Sequence, residues 1–292
     1  MVLIGLSGAK RSGKSYVAQA LENKFSRDMK VLSLAFADGL KEAVYPSFLT
    51  AINMNYDNGK MTEMFIGDSY KEDESLFIED AHKNKIINMR QILQKTGTDF
   101  IRERLGLADF WVAYMEKRVL HKPFKYSEFS FKGREKEFAE ILGLKMGEKY
   151  KIKDVQSGIS VKFDAEKFVR GVINDLESLK FNEFMRDKHD LYILTDVRFD
   201  KELNFVKDNG GTVYRIHRRE PDGSNYEIND AHATENVSNE FLSKVVNVAN
   251  RIGTKDAVMR IADDVFEQTL VRNAKRPCVS PAVNVSNEIG VA

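Results

Sequence analysis

Residues 5–18 read GLSGAKRSGKSYVA. Inside this stretch Gly8-Ala9-Lys10-Arg11-Ser12-Gly13-Lys14-Ser15 satisfies G-x-x-x-x-G-K-[ST] without a gap. An apolar run, VLIGL (2–6), precedes it, and the helix-compatible stretch Lys14–Ser26 follows. A strand that turns through glycines into a helix is a fold-defining junction. The glycines Gly8 and Gly13 let the backbone curl until successive N–H groups point inward at an anion. The helix that starts there adds the positive end of its dipole. In this pattern Ser12 belongs to the cradle, Lys14 reaches the β- and γ-phosphates of a nucleotide, and the Ser15 hydroxyl ligates Mg²⁺. Lys10 and Arg11 are extra cations inside the loop, and a solvated turn accounts for them equally well. A chance match in a Gly/Ser loop is the alternative. Its position directly after the first strand argues against that.

The remaining runs extend the same logic. VLSLAF (31–36), LYILT (191–195), TVYRI (212–216) and VVNVA (245–249) are short, β-branched and nearly continuous, as strands buried on both faces are. With VLIGL they make five. Helical stretches alternate with them: Gly39–Phe48, 89–106, 109–120 opening on Asp109 as an N-cap, Lys201–Lys207 and Lys255–Leu270. The alternation predicts an α/β domain with a mainly parallel, five-stranded sheet. Two regions break it and read as insertions, 51–88 and 121–185. The second contains YKIKDVQSGISVKF, two alternating runs about a Ser-Gly turn, which predicts a β-hairpin. One domain over 1–271 is expected, followed by a mobile Pro-containing tail at 272–292.

Composition narrows the function. A net charge of +1 gives no basic field suited to nucleic acid, and basic and aromatic residues do not interleave in a stripe. The single cysteine rules out an intrachain disulfide and cysteine-based metal clusters. No run approaches the roughly 20 apolar residues of a membrane span, and no leader segment precedes the first strand, so a cytoplasmic protein is expected. Any anion must be held by a local site.

Two further stretches offer one. In MRQILQKTGTDF, Arg90, Gln94 and Gly97 are spaced four and three apart, hence on one helical face, away from the Ile92/Leu93/Phe100 stripe. A solvated helix with a chance glycine satisfies the same pattern. In LYILTDVRFDKE, Asp196 and Arg198 follow a strand's carboxyl end, where open α/β sheets bind ligands. Asp196 suits a Mg²⁺ shell and Arg198 a phosphoryl group; an N-cap with a surface arginine is the plainer account. The polar stretch 217–236 carries Arg218 and Arg219 at its start and reads either as a lid over triphosphate or as a charged loop.

Three stretches together, GAKRSGKS (8–15), RQILQKTGTDFIRERLGLADFWV (90–112) and LYILTDVRFDKELNFVKDNGGTVYRIHRREP (191–221), resemble the deoxynucleoside monophosphate kinases of bacteriophages, related to the adenylate kinase group. HATE (232–235) and VNVAN (246–250) extend the likeness. The resemblance implies a P-loop nucleoside-kinase-like three-layer fold and transfer from ATP, with Mg²⁺, to a deoxynucleoside monophosphate. It implies an acceptor pocket at Lys41, Arg90, Gly97, Thr98 and Trp111, with Gln94 on the same face. It also implies a phosphate contact at Arg198, a lid arginine at Arg218 or Arg219, and Asn250 beside the adenine. The implied partners are small nucleotides, with a homodimer allowed, and the implied location is the host-cell cytoplasm. A kinase of another phosphorylated small molecule and a nucleotide-driven switch protein are the competing readings.

Overall fold

The run VLIGLS forms β1 (Val2–Ser7), buried at all six positions. A strand so covered must lie inside a sheet with helices on both faces. The structure, a computed structural model, describes residues 1–8, 12–53, 76–154, 158, 160–181, 183, 189–218, 244–248 and 251–274. Its main sheet adds β2 (Val31–Leu34), β7 (Leu191–Leu194), β8 (Thr212–Arg218) and β9 (Lys244–Val248) in the order β2-β7-β1-β8-β9. Every pairing in it is parallel. β1 therefore sits in the centre, and the loop that leaves it emerges at the carboxyl edge between β7 and β8.

Two cores sandwich this sheet. On one face Val2, Ile4 and Leu6 meet α1 (Lys14–Phe25) through Val17 and Leu21, and α8 (Arg251–Ala274) through Ile261 and Val265. On the other, Leu3, Leu194 and Val213 meet Met115 and Val119 of α4 (Phe110–Leu120) and Leu203 and Val206 of α7 (Asp200–Asp208). The alternation of Val2, Ile4 and Leu6 against Leu3 is the period-two rule of a strand.

A third core stands apart. The two stretches read as insertions meet in a separate antiparallel sheet: β3 (Leu76–Glu79) and β4 (Lys85–Asn88) from the first, β5 (Tyr150–Asp154) and β6 (Ser160–Phe163) from the second, in the order β4-β3-β5-β6. β5 and β6 are the expected hairpin. Ile78, Ile87, Ile152 and Phe163 of this sheet share a core with α2 (Asp38–Ala51), α5 (Glu135–Leu142) and α6 (Ala165–Leu179). α2 and α6 cross closely. A Cβ on Gly171 would lie 2.4 Å from Ser47 Oγ, and that hydroxyl donates to Asp175 Oδ2 at 2.6 Å.

Between the two bodies lies α3 (Met89–Gln94). Its start is fixed by a capping box: Gln91 N donates to Asn88 Oδ1 (2.8 Å) and Asn88 N to Gln91 Oε1 (3.0 Å). The helix expected over 89–106 then changes pitch. Lys95–Arg104 is π-helical, and Leu105 N bonds Phe100 O, five residues back. Ile92, Phe100 and Ile101 still reach the core; Leu93 packs against it partly buried and also lines the cavity described below.

Three expectations need correction. Asp109 stands at the start of α4 but makes no capping bond from its side chain. Its carboxylate instead accepts from Lys125 Nζ (2.6 Å) and Tyr126 Oη. α8 continues to Ala274, three residues into the segment expected to lack a helix; 275–292 lies outside the described residues. β8 runs through Arg218 and so takes the first two residues of the expected lid; 219–236 also lies outside. Among the described residues no helix is long and apolar enough to cross a membrane.

Candidate active site

The glycine loop is built by close approach. Gly8 has φ +141°, and a Cβ there would lie 2.4 Å from the carbonyl oxygen of Ile216 on β8. No other residue type fits. Gly13 caps α1 in the left-handed region (φ 97°) and provides no side-chain cap, so the helix's first N–H groups keep their capacity for an anion. Two hydroxyls at the base of the loop, Ser7 Oγ and Ser12 Oγ, are buried without a hydrogen-bond partner among the described residues. Buried orphan donors of this kind mark a place where a ligand completes the set. Lys14 Nζ folds back onto Gly8 O at 2.7 Å, holding the ammonium over the loop. Ala9, Lys10 and Arg11 lie outside the described residues.

Lys14 and Ser15 form one side of a cavity of about 400 Å³, within the range of small-molecule sites. Arg90, Gln94, Gly97 and Thr98 also line it, with Trp111 and Lys41. The four- and three-residue spacings do share a face, and the π-helical turn keeps Thr98 on it. A widened turn of this sort is rare and concentrates at functional sites. Gly97 is set by space: a Cβ there would meet Leu40 Cδ2 at 2.9 Å. The Trp111 indole N–H approaches Gly97 O at 3.4 Å, and its ring packs edge-on against Phe110 with centroids 5.0 Å apart.

The third side is the loop after β7. Asp196 Oδ1 accepts from Phe36 N at 2.9 Å. Burial pushes its carboxyl above the usual aspartate range, while Arg198, the Phe36 N–H and Lys41 pull the other way. A cation arriving at this carboxylate would offset the burial. Asp38, also lining the cavity, bonds back to Ala35 N at 2.7 Å. Arg198 lines the cavity as well.

Ten residues named from the sequence thus converge on one cavity: Lys14, Ser15, Lys41, Arg90, Gln94, Gly97, Thr98, Trp111, Asp196 and Arg198. Gly8, Ser12 and Gly13 form the loop beside it. Arg218 closes β8; Arg219 and Asn250 lie outside the described residues, as do His232 and Glu235. The sequence reading missed Asp38, Arg102 and Glu202. Arg102 continues the Arg90–Gln94–Thr98 series at the same interval of four, and Glu202 follows Arg198 by four; both signals were present in the spacing.

The family model of the deoxynucleotide monophosphate kinases matches residues 2–246. The chain belongs to that family. No curated protein matches it. The match to this kinase family spans the glycine loop, the α3 wall and the loop after β7, the three sides of the cavity, together with the antiparallel sheet between them.

Proposed function

We propose that this kinase transfers the γ-phosphoryl group of ATP to a deoxynucleoside monophosphate, giving ADP and the diphosphate. A P-loop nucleoside-kinase fold of three layers, a single domain over 1–271 with a lid from 217 to 236, and a cytoplasmic setting belong to the same reading. The observation that supports it best is that Lys14 and Ser15 line the same cavity as Arg90 and Trp111.

Phosphoryl transfer asks mainly for alignment and charge neutralisation. Lys14 and the loop N–H groups, with Lys10 and Arg11, hold the β- and γ-phosphates. Arg90, Arg198 and Lys41 hold the acceptor phosphate in line with them. Gln94, Gly97, Thr98 and Trp111 enclose the rest of the acceptor. The acceptor's own phosphate oxygen is an anionic nucleophile at neutral pH, so no general base is needed. Arg218 and Arg219 balance charge as the group moves, and Asn250 lies toward the donor base.

Ser15 and Asp196 fit Mg²⁺: hard oxygen donors, one of them a carboxylate, with room for the phosphates and water that this ion retains. Among the described residues no cluster of three or more His, Cys, Asp or Glu could hold a metal alone, which suits an ion held jointly with substrate. Bound there, Mg²⁺ neutralises charge on the transferring phosphates.

Coupled release of ADP, measured with ATP and Mg²⁺ against every deoxy- and ribonucleoside monophosphate, tests the reading. Turnover with at least one deoxynucleotide is expected. Slow loss of ATP that no small acceptor stimulates would replace it with a switch or binding protein.

A further inference from the structure

Arg102 is the cavity residue with the most unusual mounting. Its guanidinium carbon lies over the Phe199 ring, 3.6 Å from the centroid. Nη2 meets Glu202 Oε1 at 2.7 Å, and the side chain is 12% exposed. One nitrogen of the fork is engaged this way among the described residues. The fork carries five N–H donors, and the cavity is what Arg102 lines. Glu202 is 2% exposed. Its second oxygen accepts from Arg198 N (2.9 Å) and Phe199 N (3.2 Å). One carboxylate therefore fixes the guanidinium of Arg102 and the main chain of Arg198 within a few ångströms of each other. Two cations lining one small volume each need a counter-charge: Glu202 supplies it for Arg102, and Asp196 for Arg198. Asp196 completes the group on this side.

Resting on the kinase reading above, we propose that Arg102 is a further phosphate-binding residue of this cavity and that Glu202 is the residue that positions it together with Arg198. Packing over Phe199 and a single ionic tether hold the fork while leaving its other donors for oxygen acceptors, and a fork so placed can take a phosphoryl group bidentately. The phosphoryl group belongs either to the acceptor or to the γ-position of the donor, since both meet in this space.

The chain has one tryptophan, Trp111, and it lines the same cavity, so its fluorescence reports binding without turnover. Arg102→Lys keeps the positive charge and removes the fork. Glu202→Gln keeps an acceptor for the two N–H groups and removes the counter-charge. Each is titrated with deoxynucleoside monophosphates alone and with ATP alone, alongside steady-state kinetics and a melting curve that verifies folding.

Arg102→Lys is expected to weaken one of the two ligands by about tenfold or more. Weakened monophosphate binding assigns the acceptor phosphate; weakened ATP binding assigns the donor. Glu202→Gln is expected to shift the same ligand in the same direction. The double variant should lose less than the product of the two single losses, because they act on one contact. Unchanged affinities and unchanged kcat/KM in a folded Arg102→Lys protein overturn the proposal. So does a loss confined to one base, which would make Arg102 a base contact. A wild-type chain that phosphorylates no acceptor and binds no nucleotide removes the kinase reading itself, an outcome distinct from a working wild type with indifferent variants.

Discussion

The wall that carries Lys14 and Ser15 hangs from β1, a strand buried along its whole length between two helical layers. The wall that carries Arg90, Gln94 and Thr98 is a helix resting on a core that the parallel sheet does not share. The first wall works chiefly with backbone: a glycine φ of +141°, uncapped N–H groups and the start of a helix. The second works with side chains projected from α3 and its π-helical continuation. Backbone chemistry tolerates little variation, so one lysine and two glycines identify it. Side-chain chemistry depends on what the helix packs against, so its removal should affect one ligand and its support should affect stability.

The largest effect expected from that contrast is at Lys14. Lys14→Ala should lower kcat by about 10³-fold or more, on the order of 4 kcal/mol in the barrier, with the melting temperature nearly unchanged, because the ammonium sits at the mouth of the loop. A coupled ADP assay and a melting curve on the same preparation check both halves. A variant retaining a tenth of wild-type turnover would mean that the loop does not hold the transferring phosphates.

Arg90→Ala probes the other wall. Acceptor KM should rise, or kcat fall, by about 10- to 100-fold, the scale of one lost charge-assisted contact, while the Kd for ATP stays put. Wild-type behaviour with every nucleotide tried would remove Arg90 from the acceptor site. The two variants together separate the walls: one affects the donor's reaction with every acceptor, the other the acceptor alone.

How much of this could be read from sequence follows the same divide. The parallel strands were legible because buried parallel strands are short continuous β-branched runs, and each sits beside a helical stretch. The antiparallel sheet was half legible. The hairpin of β5 and β6 announces itself in YKIKDVQSGISVKF, but LFIE and KIIN are short runs that pair with each other across a tight turn, and LFIE joins the hairpin only by reaching β5 far along the chain. Nothing local distinguishes them from loop. α6 carries buried Phe168, Val169, Val172, Ile173 and Leu176 at helical spacing, a pattern passed over inside a stretch read as an insertion. Asp109 shows the limit at the level of one residue: capping chemistry was right in type, but Lys125 and Tyr126 offered its carboxylate stronger partners. Arg102 and Glu202 were in phase with recognised residues. Their importance comes from burial and from the Phe199 ring, which spacing does not reveal.

Gly97 tests whether the acceptor wall is as tightly supported as its packing implies. Gly97→Ala drives a Cβ to within 2.9 Å of Leu40 Cδ2. Overpacking of that kind costs about 1–3 kcal/mol, and displacement of Leu40 and Trp111 should raise acceptor KM several-fold with ATP affinity unaltered. Urea unfolding and the KM of the best monophosphate measure the two consequences. Unchanged stability with unchanged KM would mean that the wall yields freely and does not shape the pocket.

The smallest expected effect concerns acidity where the acceptor wall meets α7. Burial pushes Glu202 from the ordinary glutamate value of 4.5 up to about 6, and the Asp196 charge adds to the rise, while Arg102 and the N–H of Arg198 oppose it. A carboxyl raised in the folded state favours folding while it is protonated. Its contribution is therefore fully present below pH 4.5 and is lost as pH climbs through about 6. A shift of this size corresponds to about 2 kcal/mol at most. Glu202→Gln cannot titrate. Its stability, measured by urea unfolding at intervals across that window, should lack the descent that the wild type shows there. The comparison isolates Glu202 together with Asp196, whose charge it feels, because carboxylates remote from it contribute equally to both proteins. Parallel curves for the two would mean that Glu202 keeps its solution acidity, with Arg102 fully compensating burial. The pair would then be an ionic strut that joins the acceptor wall to α7 at every pH above about 4.5.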